Sequence, residues 1–131
     1  MSNRKALRPE RPYEIRESLA SFAELVLRAA QKAQAKSPLA AALCPNLVRA
    51  PVSAAANAEE ADDTGSTRDF LAKERIALRE IKETRLRLRV LKAGGYLDAD
   101  DHWLIDEALE LTKILATIIR NRARGKPRSR T

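Results

Sequence analysis

Apolar residues recur at intervals of three and four over four stretches of this chain, and each stretch is bounded by residues that start or stop helices. The first runs over 13–36, from Tyr13 to Lys36, with Ile15, Leu19, Phe22, Val26 and the pair Ala29 and Ala30 on one face. Ser37 and Pro38 form an N-cap followed by proline at the first helical position, which predicts a second, Ala-rich helix over 38–61. Pro45 and Pro51 fall inside it. Each removes an amide donor and crowds the carbonyl one turn back, so this helix is expected to start late, kink or come in two pieces. Residues 62–66 read as a loop. Ser66 or Thr67 caps a third helix over 67–93, with Asp69 in its first turn and Gly94 and Gly95 as its stop. Asp98 is the expected cap of a fourth helix over 99–122, with Asp100 and Asp101 in its first turn and Arg120 and Arg122 in its last.

Four helices of similar length with short links predict an all-α fold, an antiparallel up-and-down four-helix bundle over 13–122. On the third helix, Phe70, Ala77, Leu78, Ile81, Thr84, Leu88 and Leu91 share the arc that suits a core, while Ile76, Leu86 and Val90 lie opposite. On the fourth, the apolar arc from Trp103 through Leu104, Leu111 and Leu115 to Ile105 and Leu109 spans about 240°, against the ~100° that one core face requires. That excess predicts a second seam meeting other copies of the chain, formed by Ile76, Leu86, Val90, Trp103, Ile105 and Ile114.

Charge changes the picture at the ends. The 131 residues hold 25 Lys+Arg against 18 Asp+Glu, a net +7. Residues 1–12 sum to +3 and residues 120–131 to +6, which leaves the body at −2. Residues 1–12 and 123–131 are therefore expected to be basic tails, too poor in apolar residues to order themselves. Within the body, residues 59–72 sum to −4, residues 73–92 to +5 and residues 93–110 to −6, so the bundle is a set of local poles.

Composition also removes much chemistry. Four Gly leave no Gly-rich phosphate loop, one His leaves no multi-histidine metal site, and the one cysteine, Cys44, has no intrachain disulfide partner. The N-terminal dozen residues have no apolar core of a signal peptide, and the longest apolar run, Leu39 to Cys44, is too short to span a bilayer. A cytoplasmic protein without membrane contact is the expectation. The acidic group Asp98, Asp100, Asp101, His102 and Asp106 fails as a calcium loop, because Trp103 and Leu109 stand where glycine and glutamate are needed. Capping and dipole compensation account for these acids. No nucleophile elbow, Cys/His pair or Glu-x-x-His pattern exists, so neither catalytic residues, metal nor cofactor are expected.

The strongest functional signal is a basic stripe. Arg75, Arg79, Lys82, Arg85 and Arg89 fall within about 120° of one another on the third helix. Glu80 and Glu83 are the acids able to neutralise part of it through helix pairs. The second signal is the C-terminal run Arg120, Arg122, Arg124, Lys126, Arg128 and Arg130, whose lack of an apolar anchor suits a phosphate backbone better than a membrane.

From Leu47 to Leu97 the order of residues resembles the four-helix-bundle family also known as the 23S-rRNA intervening-sequence proteins. The likeness rests on Leu47 to Ser53 with Ala56, Asn57 and Glu60, on Thr67 to Leu71 with Ile76 and Ala77, and on Lys82 to Thr84 through Leu88 to Gly95, Tyr96 and Leu97. The family usually has a proline near Ala55, where this chain has Pro51 instead, and a glycine at Ala61. The resemblance implies an antiparallel bundle closed into a homopentameric ring, without enzymatic activity. It also implies nucleic-acid binding, and relatives that serve as accessory proteins of retroelements bind a reverse transcriptase. Together these readings predict a non-catalytic nucleic-acid-binding or accessory protein, acting on RNA or DNA through arrayed Arg and Lys. The alternative is a protein interaction scaffold whose basic stripe serves subunit assembly.

Overall fold

The computed structural model describes residues 14–125. All regular structure among them is helical: α1 (Ile15–Gln34), α2 (Pro38–Asp62), α3 (Thr67–Ala93) and α4 (Trp103–Ala123), with one 3-10 turn at Ala99–Asp101 before α4. Side-chain caps start the first three. Glu14 accepts from the Arg16 amide at 3.0 Å, Ser37 from Leu39 at 3.1 Å, and Ser66, rather than Thr67, from Asp69 at 3.1 Å. The end of α3 is a Schellman turn, in which the Tyr96 amide reaches the Leu91 carbonyl at 2.9 Å and that of Gly95 reaches Lys92 at 3.0 Å. Gly95 takes φ +81 there, a conformation that glycine adopts without steric cost.

The helices run in alternating directions, and cross-contacts fix this. Arg16 at the start of α1 meets Asp62 at the end of α2, Lys73 of α3 meets Glu60 of α2, and Arg122 of α4 meets Thr67 at the start of α3. Helices adjacent in sequence pack most extensively, whereas α1 and α4 meet over a shorter stretch. The core is one cluster drawn from all four helices, in which Leu19, Phe22, Leu47, Phe70, Ile81, Leu88, Leu111 and Leu115 are almost wholly buried.

The second helix is continuous. Pro45 and Pro51 sit within α2 without ending it, and no late start or division into two pieces occurs. Neighbours on both sides hold it: α2 packs along α1 and along α3, and Pro51 itself is buried. The inward positions Ala40, Ala50, Ala54, Ala58 and Ala61 let the flanking helices approach closely. By length and composition α2 is the one described helix apolar enough to cross a membrane.

The start of α4 also departs from expectation. Asp98 makes no capping hydrogen bond. Its carboxylate is instead bonded to Lys36 and lies 3.6 Å from Lys32, which also meets Asp101 at 2.6 Å. These contacts tie the connection before α4 to the last turn of α1, where apolar packing between the two helices is thin. The hydrogen bond from Lys36 holds the Asp98 carboxyl below its usual range, and that to Asp101 raises the Lys32 ammonium.

Candidate nucleic-acid interface

The 3.6-residue period of α3 decides which cations face out. Its core face is Phe70, Ala77, Ile81, Thr84, Leu88 and Leu91, and the opposite face carries Arg75, Arg79, Lys82 and Arg89, all exposed. Arg85 stands at the edge of this row, half-buried, with its Nε–H unbonded among the described residues. Arg68, about two turns before Arg75, is exposed as well. The sequence reading left it out, although its seven-residue offset from Arg75 places it on the same face.

The nearby acids are directed elsewhere. Glu80, 4 % exposed, turns to α2 and accepts from the Arg49 guanidinium at 3.0 Å. Burial alone raises its carboxyl, yet hydrogen bonds that include those from Ser53 and Arg49 hold it below the ordinary range. Glu83 lies 4.0 Å from Arg87, not in an ion pair with Arg79. Glu74 is fully buried. Among the described residues, therefore, Arg75, Arg79, Lys82, Arg85 and Arg89 make no ion pair within the chain. Arg49 is a participant that sequence spacing could not supply, since it acts across a helix pair.

The basic end of α4 is divided in use. Arg122 stacks its guanidinium over the Phe70 ring, 4.3 Å from the centroid, and its Nε donates to the Thr67 hydroxyl at 3.4 Å. It thereby fastens α4 to α3. Arg120 is exposed and bonds only weakly to Thr117 at 3.3 Å, and Arg124 is exposed just past the helix. Thr67 precedes Arg68, so these cations lie at the Arg68 end of the α3 row. Lys126, Arg128 and Arg130 lie outside the described residues, as does the basic segment 1–12.

The expected oligomer seam divides in the same manner. Leu86 and Val90 are 56 % and 50 % exposed on the outward face of α3, and Ile76 and Ile114 are half-buried. Trp103 and Ile105 are core residues, at 6 % and 8 % exposed. The wheel allotted them to an outer seam because it could not include the connection before α4. Leu97 of that connection belongs to the same core cluster, and Tyr96 packs against the cluster.

Of the acidic group at the start of α4, Asp98 and Asp101 are bound into ion pairs with Lys32 and Lys36, and His102 bonds the Leu97 carbonyl through Nε2 at 3.0 Å. Among the described residues no group of three or more His, Cys, Asp or Glu is placed to hold a metal ion. Cys44 is buried, donating to the carbonyls of Ala40 at 3.3 Å and Ala30 at 3.5 Å, and burial pushes its thiol up. The chain matches no family model, no curated protein and no solved structure.

Proposed function

We propose that this chain is a non-catalytic nucleic-acid-binding or accessory protein that contacts phosphate backbone through the outward face of α3. One observation carries this reading: a row of exposed cations is left uncompensated among the described residues, while the acids that could neutralise it pair with Arg49 and Arg87. Keeping five like charges on one face disfavours folding slightly through mutual repulsion, and a polyanion relieves that repulsion and gains counterion release. Phosphate contacts of this kind position a ligand without reading bases. The proposal includes assembly into a closed ring, five-fold as the family resemblance implies, which would multiply weak contacts by avidity. It places the protein in the cytoplasm and assigns it no cofactor or metal.

A second reading is favoured by Leu86 and Val90, whose exposure on the same face suits a protein contact. In it the row serves assembly and the protein is a scaffold. Charge reversal separates the two. Arg75→Glu with Lys82→Glu should weaken binding of labelled RNA or duplex DNA by about tenfold or more at moderate salt, with the mass by analytical ultracentrifugation unchanged. A fall in mass, with no nucleic-acid binding to lose, would establish the scaffold instead.

A further inference from the structure

The spacing of the cations bears on which nucleic acid the face fits. At about 1.5 Å rise per residue, Arg75, Arg79, Lys82, Arg85 and Arg89 follow one another at about 6, 4.5, 4.5 and 6 Å along α3, about 21 Å in all. Arg68 extends the row by about 10 Å. The row is single. On its α2 side, positions 38–58 hold one charged residue, Arg49, and that guanidinium is bonded to Glu80. On α4 the exposed Lys113 is paired with Glu110 at 3.4 Å, and Asp106 is exposed beside them.

A duplex presents two backbones separated by grooves about 6 and 12 Å wide. A straight row laid against it meets phosphates only where a backbone crosses, and among the described residues no second row waits for the other strand. One strand laid lengthwise brings a phosphate to each cation in turn, since its charges lie about 3.4 Å apart along the axis when stacked and farther apart when drawn out. Leu86 and Val90 stand within the row, where they can touch sugars and base edges. No aromatic side chain is exposed on this face among the described residues, so the strand is held by phosphates and sequence is scarcely read.

We propose that the ligand of this face is a single strand whose backbone runs along α3 over about five nucleotides. The inference rests on the nucleic-acid reading above, and its failure is distinguishable from the failure of that reading. The test uses the full chain, a labelled oligouridine of about 12 nucleotides and a hairpin duplex of matching length. Each is titrated over a salt series with the parent protein and with Arg75→Gln, Arg79→Gln, Lys82→Gln and Arg89→Gln combined. Glutamine keeps helix propensity, and circular dichroism confirms that the variant is helical. The single strand should bind at least about tenfold more tightly than the duplex. The slope of log K against log salt should be shallower in the variant by about 2.8, four phosphate contacts at about 0.7 each. A duplex bound as tightly as the single strand overturns the strand assignment and leaves nucleic-acid binding standing. No binding to either probe, or slopes unchanged by the four substitutions, overturns both.

Discussion

α2 and α3 are neighbours of nearly equal length, 25 and 27 residues, packed antiparallel, and they offer solvent opposite chemistries. α3 carries 13 charged residues among its 27, whereas positions 38–58 of α2 carry one. Inward, α2 supplies mainly alanines and α3 larger side chains, and the two pack as complementary faces. Outward, α2 shows Leu39, Ala42, Pro45 and Val52, while α3 shows arginines and a lysine. The contrast teaches that burial set the inward pattern of both helices but left the outward one free. Two ion pairs cross the boundary, Lys73 to Glu60 and Arg49 to Glu80, and the second removes an acid from the α3 side.

Breaking the inward half should have the largest effect. Leu88→Ala on α3, fully buried, should lower the unfolding free energy by about 2–5 kcal/mol in a denaturant titration. Ala54→Leu on α2 should cost about 1–3 kcal/mol, by overpacking rather than by a cavity. Pro45→Ala tests the outward side of α2, where the ring is exposed and withholds a donor from the Ala41 carbonyl. It should raise stability by about 1–3 kcal/mol, and a loss would mean that the proline shapes α2 for packing on α1.

The cross-helix tie comes next. Arg49→Ala leaves the buried Glu80 carboxylate without its guanidinium and should cost about 1–2 kcal/mol at neutral pH. Because the folded Glu80 pKa is lowered, its stabilisation is present above the unfolded value and is lost as pH falls through the folded one. The gap between parent and variant should therefore close in acid. A gap independent of pH would assign the loss to packing of the arginine stem.

Smallest is the tie between α1 and the turn before α4. Asp98→Asn should cost under about 1 kcal/mol, and less in high salt, because these groups are partly exposed. The lowered Asp98 pKa makes this contribution fade as pH falls below the ordinary carboxylate range, and the raised Lys32 pKa makes it fade as pH climbs past the ordinary lysine value. The effect of Asp98→Asn should vanish at the acid limit, which urea unfolding at graded pH would show.

How much of this was legible in the sequence follows from what each feature depends on. Ser37 and Pro38, Ser66, and the Gly94 and Gly95 pair mark helix ends because capping is local chemistry. The α3 row was legible because helical period alone puts Arg75, Arg79, Lys82 and Arg89 on one side. The continuity of α2 was not, because packing against α1 and α3 overrides what two prolines do to an isolated helix. The roles of Glu80, Asp98 and Arg122 were equally hidden, since each is settled by a partner 31 to 62 positions away, and that of Trp103 by its place in the shared core. Local signals fixed the elements, and tertiary contacts fixed which charges stay free.

The central claim is that the outward face of α3, and not that of α2, meets nucleic acid. Titrating oligouridine into the isotopically labelled full chain and following arginine Nε–Hε and backbone amide resonances tests it directly. Shifts should gather on Arg75, Arg79, Arg85 and Arg89 with their α3 neighbours, leaving Leu39 to Val52 of α2 unmoved. Shifts confined to the terminal basic segments, or centred on α2, would contradict the account.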